Sequence, residues 1–451
     1  MNNIINSNDV KKQINEITKI FTSEQIEEIA RLAGFVQRNS KLTGTIFLSI
    51  FTLGMNLYQK PSLTQLLGLL KMIIPDFEIS REGIQQRINE YAVTFFELML
   101  SRSINISVRN IDLNLMTNFK RVLILDSTII ELHKELSDYF KGYGGNASES
   151  ALKIQFCYDL KSGKFFYFLQ DAINSDTKYE NSFVDKINSD DLIIKDMGYF
   201  NPQAFIDLSD KGAYFLSRWK SNLEIFTKNE NGDIVFLDIE KFLEKTNFLR
   251  EIEIYIKKGS QTSKARLIVE PVPEEIKNMR LRKLEKKSKK NGKQTKELTK
   301  LFQSFNIYVS NIPDNLLSIN NFRKLYGVRW QIELVFKNWK SNFNLDKVSG
   351  IKLERIKCMI YSRLLLIFIS NKIIYQIRNI YWNETRTEIS DFKASKHLII
   401  VFSEVLKMLI TKNDKQISKL LVQAINFIEK NCKKFKQKSR ANVLDIISSI
   451  P

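Results

Sequence analysis

The spacing of hydrophobic residues changes along the chain, and each change predicts a different kind of structure. In residues 1–115 apolar side chains recur every three or four positions, as in IEEIARLAGFVQ and SLTQLLGLLKMI, which is the period of an amphipathic helix. Thr22 and Ser80 are suited to cap two of these helices, the second of which continues through REGIQQRINEYAVTFFELML. The first 115 residues are therefore predicted to be helical.

Two short helices on either side of Pro75 resemble a helix-turn-helix. The second would carry four polar side chains of the types that contact phosphates and base edges, namely Arg81, Gln85, Gln86 and Arg87. A plain helical bundle explains the same pattern, so both interpretations remain open.

Between residues 116 and 220 the spacing becomes that of strands. VLILDST, DLIIKDMGYF and AYFLSRWK are apolar runs of strand length, and LKIQFCYDLKSGKFFYFLQD alternates around a turn at 161–163. The first two runs reach an aspartate at their ends, Asp126 and Asp196. These residues predict an α/β sheet with an acidic side chain at the end of each of two strands.

Residues 221–304 form a second strand-rich segment. EIFTKNE and IVFLDIE flank an Asn-Gly-Asp turn, and FLREIEIYIKK and KARLIVEPVP read as further strands. We expect a separate, mainly β unit that projects from the main sheet. Residues 280–300 are strongly basic and predict a helix broken near 291–292, either a solvated arm or an element that binds nucleic acid.

Residues 326–340, YGVRWQIELVFKNWK, predict a helix with an unusual polar face. Four polar side chains fall within about 60° of one another at the helical period, and they are Tyr326, Arg329, Glu333 and Lys340. A carboxylate can hold a metal ion, and the other three groups can contact phosphate oxygens. A solvated salt-bridge face is the alternative explanation.

Composition limits the class of protein. The chain has 451 residues, enough for about three structural units, and its 43% apolar content is that of a globular protein. Lys and Arg outnumber Asp and Glu by 69 to 50, which gives a net charge of +19. This excess favours a nucleic-acid partner, although basic proteins of membrane surfaces or ribosomes share it.

Cysteine and histidine usage narrows the chemistry. The three cysteines lie far apart without a CxxC pair, which indicates a reducing compartment and no disulfide framework. Two histidines are too few for a zinc site, so any metal should be a hard cation held by carboxylates. The apolar runs Thr43–Tyr58 and Cys358–Tyr375 are short or contain charges, and we expect buried helices in a cytoplasmic protein without a membrane partner.

Asp126, Asp196 and Glu333 are the candidate catalytic and metal-binding acids. Hydrolysis of a phosphodiester needs an activated nucleophile and a stabilised leaving oxygen, and a pair of Mg²⁺ ions held by carboxylates supplies both. A single aspartate at a strand end usually serves a turn, and Asp159 and Asp171 lie where such a role suffices. The combination with the polar helix face selects the three acids.

The spacing Tyr-x2-Arg-x3-Glu-x6-Lys resembles the YREK signature of the DDE transposases of bacterial insertion sequences. Asp126–Thr128 and Asp196–Phe200 resemble the two aspartate motifs of this family. The interval of 137 residues between Asp196 and Glu333 is similar to the long β-rich insertion of the same group. The resemblance covers residues 118–350.

The resemblance implies an α/β fold with a ribonuclease-H-like mixed sheet core, interrupted by a mainly β insertion and flanked by helical regions. A helical region that binds the DNA end would occupy residues 1–115. The core would comprise 116–220 and 305–375, the latter with the YREK helix. The insertion would be 221–304, and a helical C-terminal region with a possible role in dimerisation would be 376–451.

The resemblance also implies a cut-and-paste transposase that nicks double-stranded DNA at terminal inverted repeats and joins the 3′-hydroxyls to target DNA. Two Mg²⁺ ions, for which Mn²⁺ can substitute, would be held by the three acids. Phosphates would be held by the three other signature residues, Tyr326, Arg329 and Lys340. Cleavage of two ends implies a homodimer on DNA.

Two alternatives remain from the sequence. One is an inactive or domesticated relative that binds DNA without cutting it, and the other is a ribonuclease-H-like nuclease acting on RNA or a junction. Transposases of this group can also flip a base onto an aromatic side chain of the strand before the YREK helix. Phe305 and Tyr308 are the available aromatic residues there, and the usual tryptophan is absent.

Overall fold

The computed structural model describes residues 18, 22–104, 116–144, 148–176, 183–220, 224–292, 294–435 and 443–450. The strands are β1 Val122–Glu131, β2 Ala151–Asp159, β3 Phe165–Asp171, β4 Leu192–Lys195, β5 Tyr214–Arg218, β6 Phe226–Lys228, β7 Ile234–Phe236, β8 Arg250–Lys258, β9 Gln261–Pro271 and β10 Phe305–Ser310. They form one ten-stranded sheet in the order β3-β2-β1-β4-β5-β10-β9-β8-β6-β7. β4 pairs in parallel with β1 and β5, and the other pairs are antiparallel. The predicted mixed α/β class is confirmed.

The helices found in the described residues surround this sheet. They are α1 Ser23–Leu32, α2 Gly44–Tyr58, α3 Leu63–Ile73, α4 Arg81–Arg87, α5 Glu90–Ile104, α6 Pro202–Asp210, α7 Ile239–Glu244, α8 Glu274–Asn291, α9 Glu297–Leu301, α10 Phe322–Gly327, α11 Trp330–Ser341, α12 Leu353–Thr385, α13 Asp391–Ile410, α14 Ile417–Asn431 and α15 Val443–Ser448. Helical N- and C-terminal regions therefore flank the sheet, as the sequence predicts.

Apolar residues cover both faces of the central strands. On one face the Phe156 ring of β2 lies 4.5 Å from the Trp339 ring of α11, measured between ring centroids. On the other face the ring centroids of Phe205 in α6 and Phe215 in β5 are 4.2 Å apart. Parallel strands occur almost only in sheets whose two faces are both covered by helices. The middle of the sheet is therefore buried on both faces.

The N-terminal helices differ from the sequence prediction at one point. Ser80 caps a helix, but that helix ends at Arg87, and Ile88 has a non-helical backbone before α5 begins. The Arg87 guanidinium donates to the Phe35 carbonyl oxygen over 2.8 Å and lies 4.1 Å from the centre of the Phe35 ring. Arg87 is therefore held inside the helical region, whereas Arg81 and Gln86 are exposed.

The insertion at 221–304 contains the predicted hairpins, and the basic helix α8 ends at Asn291, followed by Gly292 with a φ of 61°. The expectation of a separate β unit is wrong, because β9 pairs with β10 from Pro271–Phe305 to Arg266–Ser310. The insertion strands thus extend the core sheet. Alternation of side chains shows which residues are in strands but does not determine which strand fills each free edge.

One helix in the described part of the chain, Leu353–Thr385, is long and apolar enough to cross a membrane by length and composition. Within the fold, 89% of its most apolar stretch is buried. Lys372 in this helix donates to the Ser103 carbonyl oxygen over 2.6 Å, so that its charge is not left without a partner. The helix packs as a core element, as expected for Cys358–Tyr375.

Candidate active site

The first two acids are brought together by the pairing of β1 with β4. Leu125 lies opposite Lys195 in this parallel pair, so the following residues, Asp126 and Asp196, lie at the same level of neighbouring strands. β4 ends at Lys195, and Asp196 follows it as predicted. β1 does not end at Asp126, however, because its antiparallel pairing with β2 keeps it extended to Glu131.

The helix predicted for residues 326–340 is interrupted. α10 ends at Gly327 and α11 begins at Trp330, so the prediction of one continuous helix is wrong at Val328 and Arg329. The Arg329 N–H donates to the Tyr326 carbonyl oxygen over 3.1 Å, a three-residue spacing that tightens the turn. This turn carries Arg329 at the junction of two helices, beside the acids.

The third acid and two of its signature neighbours converge on the aspartates. The Tyr326 hydroxyl donates to Asp196 Oδ1 over 3.3 Å. The Arg329 guanidinium donates to Asp126 Oδ2 over 3.4 Å and to Glu333 Oε1 over 2.6 Å. Because one planar guanidinium spans both acids, their bonded oxygens are no more than roughly 8 Å apart. The structure thus brings all three predicted acids to one place.

The site combines burial with a concentration of charge. Burial raises the pKa of Asp126 to about 6, and the nearby Asp196 and Glu333 carboxylates add to the rise while Arg329 opposes it. Burial alone would lower the pKa of Arg329, but Tyr326 and the acids outweigh it and raise the pKa. Burial, followed by Asp196, raises the pKa of Tyr326. One cation therefore balances a cluster of carboxylates in a half-buried cleft.

Lys340 lies further from the acids than the other signature residues. Its Nζ donates to the Ile129 carbonyl oxygen over 3.3 Å. Ile129 is three residues beyond Asp126 on β1, a distance of roughly 10 Å along an extended strand. Lys340 therefore lies at the rim of the site.

The acids have the chemistry of a site for hard divalent cations. In the described residues no group of three or more His, Cys, Asp or Glu side chains is close enough together to hold one ion. Mg²⁺ usually takes one or two carboxylates and completes its shell with water and substrate phosphates. Two carboxylates of this set, completed by water and phosphate oxygens, are ligands of the kind that such an ion takes, so the residues fit a hard divalent cation.

A polar network behind the acids was not predicted from the sequence. Asp176 accepts hydrogen bonds from Ser127 over 3.1 Å, from the buried Lys153 over 3.1 Å and from Gln155 over 2.8 Å. Gln155 in turn accepts from the Tyr199 hydroxyl. The network ties β1 and β2 to the turn that follows Asp196. The polar residues Lys153 and Gln155 inside the buried strand β2 were the available signal.

Arg218 is a second residue that the sequence did not reveal. It ends β5 and pairs with Tyr308 of β10, one strand beyond Asp196. The Tyr308 ring lies 5.4 Å from the Tyr326 ring between centroids, and both Tyr308 and Phe305 are buried. Of the two candidate aromatics for a flipped base, Tyr308 is therefore in contact with the signature residues.

Comparison with known proteins agrees with this arrangement. The family described as Transposase DDE domain matches residues 117–369. The chain is 30% identical to the transposase of insertion sequence IS231B from Bacillus thuringiensis subsp. berliner, over 96% of the chain and 94% of that protein. It is 31% identical to the IS1151 transposase of Clostridium perfringens, over 94% of the chain and 93% of that protein. Enzymes of this family use divalent metal ions and act on DNA. This chain belongs to the DDE transposase family of insertion sequences and is an enzyme that cleaves and joins DNA strands.

Proposed function

We propose that this transposase moves an insertion sequence by cutting double-stranded DNA at its terminal inverted repeats and joining the freed 3′-hydroxyls to target DNA. Asp126, Asp196 and Glu333 are the catalytic acids and hold two Mg²⁺ ions, for which Mn²⁺ can substitute. The observation that carries this proposal is the convergence of the three acids on the Tyr326 and Arg329 side chains.

The metal ions, when bound, would activate the attacking water or 3′-hydroxyl and stabilise the departing oxygen. The protein's own residues position the DNA strand. A guanidinium has five N–H donors, so Arg329 can bind a phosphate oxygen while it remains next to Asp126 and Glu333. Tyr326 and Lys340 would contact neighbouring phosphates from either side of Arg329, which fixes the scissile bond over the acids.

The assembly follows from the need to cut two ends. Two copies of the chain, one for each inverted repeat, would form a homodimer on DNA, with the helical region 376–451 as the proposed contact. The helical region 1–115 would bind the repeat itself. Such an enzyme would work in the cytoplasm, where its DNA substrate is accessible.

The decisive experiment removes the metal-binding charge without changing the shape of each acid. Asp126→Asn, Asp196→Asn and Glu333→Gln should each reduce cleavage of an inverted-repeat duplex in Mg²⁺ by at least about 10³-fold. Binding of the duplex, measured by fluorescence anisotropy without metal, should be retained. Asp210→Asn, an exposed acid at the end of α6, controls for the loss of one negative charge.

Two outcomes would contradict the proposal. Full cleavage by any of the three variants would remove that acid from the catalytic set. Binding of repeats by a wild-type protein that cuts no duplex in Mg²⁺ or Mn²⁺ would instead support a relative that binds DNA without cutting it. Calorimetric titration with Mg²⁺ gives an independent measure, because each acid variant should also bind the ion more weakly than Asp210→Asn.

A further inference from the structure

The basic helix α8 in the insertion is exposed along its whole length. It has no buried residue, and only one face is partly covered, through residues such as Arg280, Leu281 and Leu284. The opposite face carries five exposed cations, which are Arg282, Lys283, Lys286, Lys289 and Lys290. We call these five residues the outer face of α8.

Among the described residues none of the five outer-face cations forms an ion pair, and Glu275 is the acid that lines the same groove as Lys283 and Lys286. Within the described part of the chain, the ion pair found on this helix joins Lys277 to Glu274 at its first turn, over 3.4 Å. Cations at three- and four-residue spacings on one helix face repel one another. A face of this kind therefore suits a polyanionic partner that relieves the repulsion.

The directions of the strands place the start of α8 at the same end of the strands as the acids. β4 and β5 run in parallel; β4 ends at Lys195, just before Asp196, and β5 ends at Arg218. β10 is antiparallel to β5, so its first residue, Phe305, lies at this same end of the strands. Phe305 pairs with Pro271, the last residue of β9. α8 starts at Glu274, three residues after β9, and so leaves the sheet beside the site.

Three arginines connect the acids to α8. Arg280 donates to the Phe305 carbonyl oxygen over 3.1 Å and to Asn306 Oδ1 over 2.7 Å, which fixes the helix on β10. Burial lowers the pKa of Arg280, and the nearby cations Arg218 and Arg323 lower it further. Arg218, Arg280 and Arg323 thus lie near one another at the end of β5 and the start of β10, with the Glu270 carboxylate 3.4 Å from Arg323, and we call these three residues the arginine cluster.

The N-terminal helices lie at the opposite end of the sheet. Glu97 and Ile104 of α5 line a cavity together with Tyr167 and Leu169 of β3. β3 is an edge strand of the sheet, and β1, β4, β5 and β10 lie between it and β9. The acids of β1 and β4 are therefore between the N-terminal helices and α8. A duplex that is held by the N-terminal region and cut at the acids would continue toward the arginine cluster and α8.

We propose that the arginine cluster and the outer face of α8 bind the phosphate backbone of duplex DNA beyond the scissile phosphate, on the side away from the terminal repeat, without reading its sequence. This inference rests on the proposed function, because it uses the cut site as its reference point. At 1.5 Å per residue the 18-residue helix is about 27 Å long, which corresponds to about eight base pairs of duplex.

The test compares two duplexes that carry the same repeat. One continues for about 2 base pairs beyond the cut and the other for about 15, so that only the second reaches along α8. The α8 variant removes three outer charges, Lys283→Gln, Lys286→Gln and Lys290→Gln. The control variant removes three exposed charges that precede β3, β4 and β5, at the end of the strands away from the acids, Lys164→Gln, Lys186→Gln and Lys211→Gln.

Wild-type protein should bind the longer duplex more tightly, and the α8 variant should lose about tenfold in affinity for that duplex alone. Its salt slope should fall by about 3 on the longer duplex, because three phosphate contacts are lost. Replacing the sequence of the flank should change neither value. Affinity for the shorter duplex should stay within about twofold of wild type, as should both affinities of the control variant.

Several results would overturn the inference. They are an equal loss on both duplexes, an equal loss in the control variant, unchanged affinity for the longer duplex, and dependence on the flank sequence. These measurements are made without metal. Failure of the wild-type protein to cut either duplex would therefore count against the proposed function, whereas a flank-dependent loss in the α8 variant would still support DNA binding by this surface.

Discussion

The two halves of the ten-stranded sheet contain similar strands in very different surroundings. From β3 to β5 the strands lie under helices, and every residue of β2 and β4 is buried. From β9 to β7 the cover thins, until β7 has no buried residue. Parallel pairing requires cover on both faces, whereas antiparallel strands can leave one face exposed. We call β3 to β5 the covered half and β9 to β7, with α8, the open half. The covered half holds the acids, and the open half holds the exposed cations of the outer face of α8.

This difference shows how one sheet can meet two opposite needs. Carboxylates that share a metal pair have to be held within a fraction of an ångström, which requires packed side chains and bonded neighbours such as Asp176 and Lys153. Cations that contact the regularly spaced phosphates of a duplex need only exposure and a fixed support, and α8 has both. The insertion therefore adds a charged surface without disturbing the packing around the acids.

The largest effect should come from matched substitutions in the two halves. Phe156→Ala removes a ring that is 0% exposed, and it should lower the free energy of unfolding by about 3–5 kcal/mol. Phe236→Ala removes a ring on β7 that is 58% exposed, and it should cost less than about 1 kcal/mol. Urea unfolding of both variants measures the difference. Similar losses would show that the insertion half is packed as tightly as the core.

A smaller effect concerns the buried charge in the covered half. The pKa of Asp126 is raised from 3.8 to about 6, so the ionised carboxylate destabilises the folded state once the pH exceeds the unfolded value. This penalty grows as the pH rises from 4 to 6, reaches up to about 3 kcal/mol, and stays constant above that range. Asp126→Asn, which cannot ionise, should therefore be more stable than wild type at pH 8 and lose that advantage near pH 4.

The measurement is urea unfolding at several pH values in a metal-free buffer. Asp210→Asn serves as the control, because it removes an exposed acid outside the site. An advantage of Asp126→Asn that is the same at pH 4 and pH 8 would mean that burial of the charge is not its source.

The smallest effects should distinguish the cations of the site from those of the open half. Arg329→Ala leaves Asp126 and Glu333 without their shared partner, so it should weaken repeat binding and also reduce cleavage. Lys340→Ala and Lys286→Ala should each lower the salt slope by about one unit. Of these two lysine variants, only Lys340→Ala should slow cleavage, because Lys340 lies at the rim of the site and Lys286 lies on α8.

Binding and nicking over a salt series would measure all three variants. A Lys340→Ala protein with wild-type binding and an unchanged salt slope would show that this residue belongs to a solvated face. A Lys286→Ala protein that cuts a short-flank duplex slowly would show that α8 takes part in the chemistry.

The convergence of the three candidate acids could be predicted because several local patterns, taken together, pointed to them. An apolar run followed by an acid predicted Asp126 and Asp196, and helical spacing grouped Arg329 with Glu333. The rival Asp159 has the turn role expected for it, since it accepts from the Lys161 N–H over 3.1 Å. These features depend on residues within a few positions of one another, where sequence determines structure most directly.

Other features depend on pairings between distant segments and could not be predicted locally. β1 continues past Asp126 because β2 pairs with it there, and β9 joins β10 because an edge is free. The break at Val328 and Arg329 directly follows Gly327, but a single glycine inside a helical pattern does not by itself predict a break. Asp176 belongs to the site only because strands bring Ser127 and Lys153 to it.

The continuity of the sheet also determines the order in which the enzyme can become active during synthesis. β10 lies between β5 and β9, and Glu333 follows β10 by more than 20 residues. A ribosome-bound chain that has emerged only as far as residue 304 contains both aspartates but lacks this strand and the helix with the third acid. Contacts between segments this far apart in sequence form late in folding. Until residue 333 has emerged, a nascent copy therefore lacks one of the three candidate acids, and we expect it not to cut DNA.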